Sequence, residues 1–176
     1  KTNKGTTSLK SLENIPNITL IMEPTILNIG SEEKSINILA IPYLGDLSLE
    51  GNYLIKNKKN IKYAFMHTDI SKMKYDNGQE ITAGVNVDLF KGKIFSGHIH
   101  TRQENGNVLY VGSPYQTKRS DIGNIKGIYD IDFLNGKLNF TENNYSPIFQ
   151  KINIDIFLSM NDEDRNKLIN NNYNDI

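Results

Sequence analysis

The chain has 176 residues, 20 basic and 20 acidic side chains that cancel, and no cysteine. That length supports one domain with a proper core. The charge balance excludes a strong overall field toward nucleic acid or membrane, though a local basic patch remains open. The lack of cysteine excludes disulfides, thiolate metal sites and a cysteine nucleophile, and suits a reducing cytosol. No stretch reaches the roughly 18 apolar residues of a membrane span, so no membrane partner is expected. Lys1-Thr2-Asn3-Lys4-Gly5 has no apolar signal-peptide core and no initiator methionine, as in a processed chain or an internal piece of a longer one.

Residues 1–14 are polar, with Leu9 and Leu12 spaced for a short amphipathic helix leading to a turn at Pro16. Ile18-Thr19-Leu20-Ile21 reads as a strand, and a second extended piece runs from Pro24 through Ile26 and Ile29. Ile36 to Ile41 is a buried-strand pattern that stops at Pro42. A lysine-rich helix or loop (Lys56, Lys58, Lys59) then leads to a strand over Ile61–Met66, ending at His67. Asp76-Asn77-Gly78 marks a turn. Ile94-Phe95-Ser96 is a brief strand ending in Gly97, and Asn105-Gly106-Asn107 turns the chain into Val108–Val111. The strongest local signal is a hairpin: Gly127–Phe133, the turn Asn135-Gly136, then Lys137–Thr141. Beyond it, Ile152–Ile156 alternates like a further strand. Ser159–Asn170 reads as a helix capped by Ser159 or Asn161, with Asp162, Glu163 and Asp164 in its first turn and Lys167 late. Strands dominate and helices are few and short, which predicts a mixed α/β layered architecture.

The chain holds three histidines, His67, His98 and His100. A free imidazole has a pKa near 6.5, so at neutral pH it keeps a lone pair for a metal. In Gly97-His98-Ile99-His100, positions i and i+2 of an extended segment point the same way. The two rings can then address one cation, or one each of two close cations. Gly97 lets the backbone turn and approach a site closely. His67 follows an apolar strand, at the strand end where open α/β sheets carry their sites. The competing reading is a plain His-x-His pair on a strand surface. A two-metal phosphoesterase centre also needs a bridging carboxylate and further Asp or Asn ligands that hold the ions about 3.5–4 Å apart. Asp46 reads as a turn residue. Asp69 reads as a cap or as a partner that holds an imidazole. The acids that this chemistry needs are not evident.

Three segments resemble the calcineurin-like metallophosphoesterases, in order and rough spacing: Phe65-Met66-His67-Thr68-Asp69-Ile70, Phe95-Ser96-Gly97-His98-Ile99-His100 and Val111-Gly112-Ser113-Pro114-Tyr115-Gln116. Gly-His-x-His is shared across that superfamily. The Gly-Ser-Pro-Tyr-Gln loop followed by Lys126-Gly127-Ile128-Tyr129 narrows the resemblance to the SbcD-type recombination nuclease subunits, especially phage versions. The resemblance implies an α/β fold in which residues 1–146 are the C-terminal part of a β-sandwich flanked by helices. Residues 147–176 would start a small capping domain. It further implies that His67 and His98 ligate a second metal and His100 a first, with manganese as the usual ion of the two-cation centre. The implied activity is exo- and endonucleolytic hydrolysis of DNA phosphodiester bonds in recombination and repair. Implied partners are DNA, an SbcC-like ATPase and a second copy in a homodimer, in the cytoplasm (that of a bacterial host if phage-encoded). The family's Asp-x-His, its following Asp motif and its Gly-Asn-His-Asp, which supply the bridging aspartate, an asparagine ligand and a catalytic histidine, have no counterpart here. The expectation is a middle-to-C-terminal piece of a longer protein that is inactive alone, with its catalytic acid and histidine outside this chain.

Two loops beside the histidines carry cations suited to backbone phosphates: Arg102 in Thr101-Arg102-Gln103, and Lys118 and Arg119 in Gln116-Thr117-Lys118-Arg119-Ser120. The competing reading is ordinary solvated loops, which also serves for Lys56 to Lys59. Tyr115 suits either stacking on a base or burial beside Pro114. Two other classes of function stay open: a small-molecule metallophosphatase or phosphodiesterase, and a non-catalytic binding or structural module.

Overall fold

β-branched and aromatic runs bounded by Pro, Gly and Asn become the strands of the protein, whose computed structural model describes residues 8–170. The strands are β1 (Thr25–Gly30), β2 (Ser35–Ile41), β3 (Tyr63–Met66), β4 (Lys93–Ser96), β5 (Gln103–Asn105), β6 (Val108–Tyr110), β7 (Gly127–Asp132) and β8 (Lys137–Glu142). The helices are α1 (Leu47–Asn57), α2 (Ile154–Ser159) and α3 (Asp162–Asn170). The first six strands form one mixed sheet in the order β1-β2-β3-β4-β6-β5, and β7 and β8 pair as a separate hairpin. The centre of the sheet is parallel: β2 with β3, β3 with β4, β4 with β6. Antiparallel β1 and β5 flank it. The chain is thus α/β with a mixed sheet. Among the described residues no helix is long and apolar enough to cross a membrane.

Strand alternation sorts the side chains onto two faces. Leu39, Ile41, Ala64, Met66, Ile94, Val108 and Tyr110 point to the main core, where they meet Leu54 of α1 and Ile61. The long connection from β3 to β4 also feeds that core: Ile70, Met73, Ile81, Val85, Val87 and Phe90 are all buried. Single bridges Ile70–Val85 and Lys74–Glu80 stiffen this connection without making it a strand. The opposite face carries an aromatic group. Phe65 stacks on Phe95 at 5.1 Å, and Phe133, from the turn of the β7–β8 hairpin, meets Tyr63 edge-on at 5.3 Å.

α1 starts where the Asp46 carboxylate accepts the Leu49 N–H at 3.0 Å, so Asp46 is a helix cap. Asn161 caps α3 in the same way, accepting the Asp164 N–H at 2.8 Å.

Three local expectations differ from the structure. Ser8–Leu12 is a 3₁₀ turn rather than an amphipathic α-helix, with Leu9 half exposed. Among the described residues, Ile18–Ile21 pairs with no strand. The sheet edge is closed by β1, six residues that hydrogen-bond along their whole length to β2, and Ile18 is left at the surface. Ile152–Ile156 alternates like a strand, yet the Asn153 side chain accepts the N–H groups of Asp155 and Ile156 and starts α2 instead. A strand there would need a pairing edge, whereas an asparagine cap acts locally.

Candidate metal centre

Three adjacent parallel strands, β3, β4 and β6, end at the same side of the sheet. Their loops carry His67, then Gly97 to His100, then Gly112-Ser113-Pro114. Such carboxyl ends of parallel strands are where open α/β sheets place their ligands. The ladder runs right up to the site: Gly97 N–H donates to the Met66 carbonyl at 3.1 Å, and Val111 N–H to that of Ser96 at 3.0 Å. Tyr110, fully buried at the end of β6, reaches across. Its hydroxyl donates to the Thr68 carbonyl at 2.7 Å and accepts the Ile70 N–H at 2.8 Å. Burial pushes this phenol well above its ordinary pKa, so it stays a neutral clamp on the loop that presents His67 and Asp69.

His67 and His98 face one another edge to plane, with ring centroids 5.4 Å apart. Gly97 makes this approach possible. A Cβ there would lie 2.6 Å from His67 Nδ1, so the imidazole rests on bare backbone. Although its edge is open, partial burial of the His67 ring, then the nearby His98 and His100, lower its pKa below the ordinary 6.5 against an opposing pull from Glu50. The lone pair is thereby kept available. Asp69 Oδ1 lies 3.4 Å from His98 Nε2, and its Oδ2 accepts the Tyr75 hydroxyl at 3.2 Å. Asp69 Oδ1 thus faces the His98 ring without a hydrogen bond to it. On the other side Tyr43 stacks on the His98 ring at 6.4 Å. Tyr43 sits in the loop after β2, which buried Glu50 holds by accepting the Leu44 N–H at 2.8 Å.

His98 and His100 do not point the same way. That expectation assumed extended backbone, whereas His98 has φ of 79°, in the left-handed region. His98 consequently joins His67 and Asp69, and His100 turns to the loop after β6. There His100 Nδ1 is 2.9 Å from Thr117 Oγ1, and its carbonyl accepts Ser113 N–H at 3.1 Å and Lys126 Nζ at 2.8 Å. Behind Thr117 lies Asp121, 0% exposed, ion-paired with Lys126 at 3.0 Å. Burial alone would raise the Asp121 carboxyl. The Thr117 N–H, the Lys126 ammonium and the Lys118 N–H outweigh it and bring it down to about 2.

The basic residues are differently placed. Lys118 pairs with Asp76 at 2.7 Å, and Asp76 also accepts the Thr101 N–H. Arg102 lies over the Phe140 ring at 4.2 Å and donates to the Tyr129 hydroxyl, which ties it to the β7–β8 hairpin. Arg119 is exposed. Beside Tyr115, also exposed, a groove of about 350 Å³ runs between Gln116, Ile125, Glu142 and Phe149.

Sequence reading did not single out Tyr110, Glu50, Thr117 or Asp121. Tyr110 looked like one more strand residue, and Glu50 like an ordinary first-turn acid. Asp121 and Thr117 act on His100 from about 20 residues away in the chain, a contact no local pattern carries. The donor set fits a divalent cation in part. His67 and His98 are adjacent imidazoles, and Asp69 Oδ1 and Glu50 Oε2 are buried carboxylate oxygens without a hydrogen bond. Among the described residues no three His, Asp or Glu side chains form a group that could hold a metal ion. No protein-family model matches the chain, and no curated protein matches it.

Proposed function

We propose that this chain is the histidine-bearing part of a two-metal DNA nuclease subunit, similar to the SbcD-type members of the calcineurin-like metallophosphoesterases. The observation that carries the reading is the meeting of His67 and His98 at the ends of neighbouring parallel strands, with the Gly112-Ser113-Pro114 loop on the next strand end. In this reading His67 and His98 hold one cation and His100 a second, and manganese is the ion. The remaining carboxylate, asparagine and histidine groups come from outside this sequence. Cations held there would supply charge neutralisation for a DNA phosphate and an activated water. The chain's own residues orient that centre: Asp69 faces His98, Tyr110 fixes the loop of His67, and Gly97 admits the His67 ring. Arg119, with Arg102 and Lys118, meets backbone phosphates without reading sequence. The subunit works with an SbcC-like ATPase, as a homodimer, in a bacterial cytoplasm, and residues from 147 onward begin its capping domain.

A chain with three histidines gives three imidazole Hε1 signals, which makes the test direct. Addition of Mn²⁺ to the chain is expected to broaden the His67 and His98 signals together. DNA incubated with the chain and Mn²⁺ should remain intact, because the centre is shared with residues elsewhere. If no histidine signal responds throughout the titration, the metal reading fails, and Mn²⁺-dependent cleavage by the chain alone would overturn the division of the centre. A second reading, a non-catalytic binding or structural module, draws on the lack of three converging ligands among the described residues.

A further inference from the structure

We infer that Lys126, Asp121 and Thr117 are positioning residues that lock His100 as its Nδ1–H tautomer and leave Nε2 as the outward donor. The inference rests on the reading of His100 as a cation ligand and adds what prepares it.

Asp121 is held from several sides. Its Oδ1 accepts Lys126 Nζ at 3.0 Å, and its Oδ2 accepts the N–H groups of Thr117 at 2.9 Å and Lys118 at 3.2 Å. The side chains of Asp121 and Lys126 are 0% and 5% exposed, so water does not compete for these bonds. Lys126 also donates to the His100 carbonyl at 2.8 Å, which ties the pair to the backbone of the histidine it serves.

Thr117 connects the pair to the imidazole. Its hydroxyl has one proton and two neighbours: Asp121 Oδ2 at 3.2 Å and His100 Nδ1 at 2.9 Å. An ionised carboxylate can only accept, whereas an imidazole nitrogen can donate or accept, so only one assignment makes both contacts hydrogen bonds. The hydroxyl proton therefore goes to Asp121. The 2.9 Å contact is then an N–H···O bond at its usual length, given by His100 Nδ1–H to Thr117 Oγ1. Direct help from Asp121 is excluded, because its Oδ2 stands 3.8 Å from Nδ1. Had the proton gone the other way, His100 would carry its hydrogen on Nε2 and could not ligate from its outer edge. Partners of this kind fix the tautomer and orientation of ligating histidines, and their loss typically costs 10–100-fold in metal affinity.

Long-range ¹H–¹⁵N correlation of the imidazole nitrogens reads the tautomer without any metal, at a pH where the rings are neutral. In the wild-type chain His100 Nδ1 is expected in the protonated, pyrrole-like range and Nε2 in the pyridine-like range. Thr117→Val removes the hydroxyl at an exposed position and should move the two nitrogens toward each other or exchange them. Thr117→Ser should restore the wild-type pattern. A wild-type His100 protonated on Nε2, or a Thr117→Val pattern identical to wild type, overturns the relay. Failure of the relay leaves the Mn²⁺ response of His67 and His98 intact, whereas a chain blind to Mn²⁺ with the predicted tautomer would sink the function and keep the relay.

Discussion

Replacing Gly97 by alanine tests the geometry of the histidine pair most directly. The new methyl would sit 2.6 Å from His67 Nδ1 and 3.2 Å from Cε1, where ordinary contact begins at 3.4 Å. The ring must retreat by the difference, about 0.8 Å, to reach ordinary contact. Overpacking in a core usually costs ~1–3 kcal/mol. His67, however, is exposed, so its ring swings outward and the cost stays below ~1 kcal/mol. For a chain of this size that lowers Tm by less than ~4 °C. The effect on ligation is larger, because a displacement near 1 Å costs on the order of 100-fold where groups must meet at one point. Mn²⁺-induced broadening of the His67 Hε1 signal should need about 10–100-fold more metal in the variant, with the His100 signal unmoved in the absence of metal. An unchanged His67 chemical shift and an unchanged Mn²⁺ dependence would refute the close contact.

Four further outcomes follow from the same structure. Tyr110→Phe removes a hydroxyl that serves both Thr68 and Ile70 in a fully buried place. It should lower stability by ~1–3 kcal/mol, seen as a lower urea midpoint at constant m-value, and an unmoved midpoint would contradict the clamp. Gly51→Ala fills a helical position where the methyl meets only Val85 Cγ1, at 3.5 Å. It should raise stability by ~0.5–1 kcal/mol, and a fall would mean that α1 packs more tightly than described. Asp121 titrates near 2 in the folded chain against about 3.9 unfolded, so its contribution is full above pH ~4 and is lost as pH falls through ~2. The stability gap between wild type and Asp121→Asn should narrow across that window, and a gap constant with pH would count against the buried carboxylate. His67 has a lowered pKa, so the unfolded chain takes up the proton first and stability from this group falls as pH drops below the ordinary 6.5. Its Hε1 titration midpoint should lie below 6.5 and rise in His98→Gln, where a repelling neighbour is gone; a midpoint at or above 6.5 would rule out this cause.

How far the sequence reveals this molecule depends on the range of the interaction. β3 and β4 were legible because Tyr63-Ala64-Phe65-Met66 and Ile94-Phe95-Ser96 state their own preference, and Asn135-Gly136 closes its hairpin within a few residues. Strand order was not legible. Nothing in the His67 segment announces that β4 lies beside it, and the residues between them form an irregular connection that is anchored by a few buried apolar side chains. Local pattern failed in the tail because Ile152-Asn153-Ile154-Asp155-Ile156 satisfies strand alternation and helix capping at once, and the structure takes the choice that needs no partner.

The histidines show the same limit more sharply. Their spacing was read as a signal of chemistry, and the inference that His98 and His100 share a direction assumed a backbone angle. The left-handed φ at His98 reverses that inference, and a non-glycine residue held there is a departure that folds retain at a cost of ~1–3 kcal/mol. That cost has a visible return in the arrangement. It delivers one imidazole to His67 and Asp69, and the next to Thr117 and the buried Asp121–Lys126 pair. An extended Gly-His-x-His would set both rings on one face, roughly 7 Å apart. The bent one divides them between two stations, one at the end of β3 and one in the loop after β6.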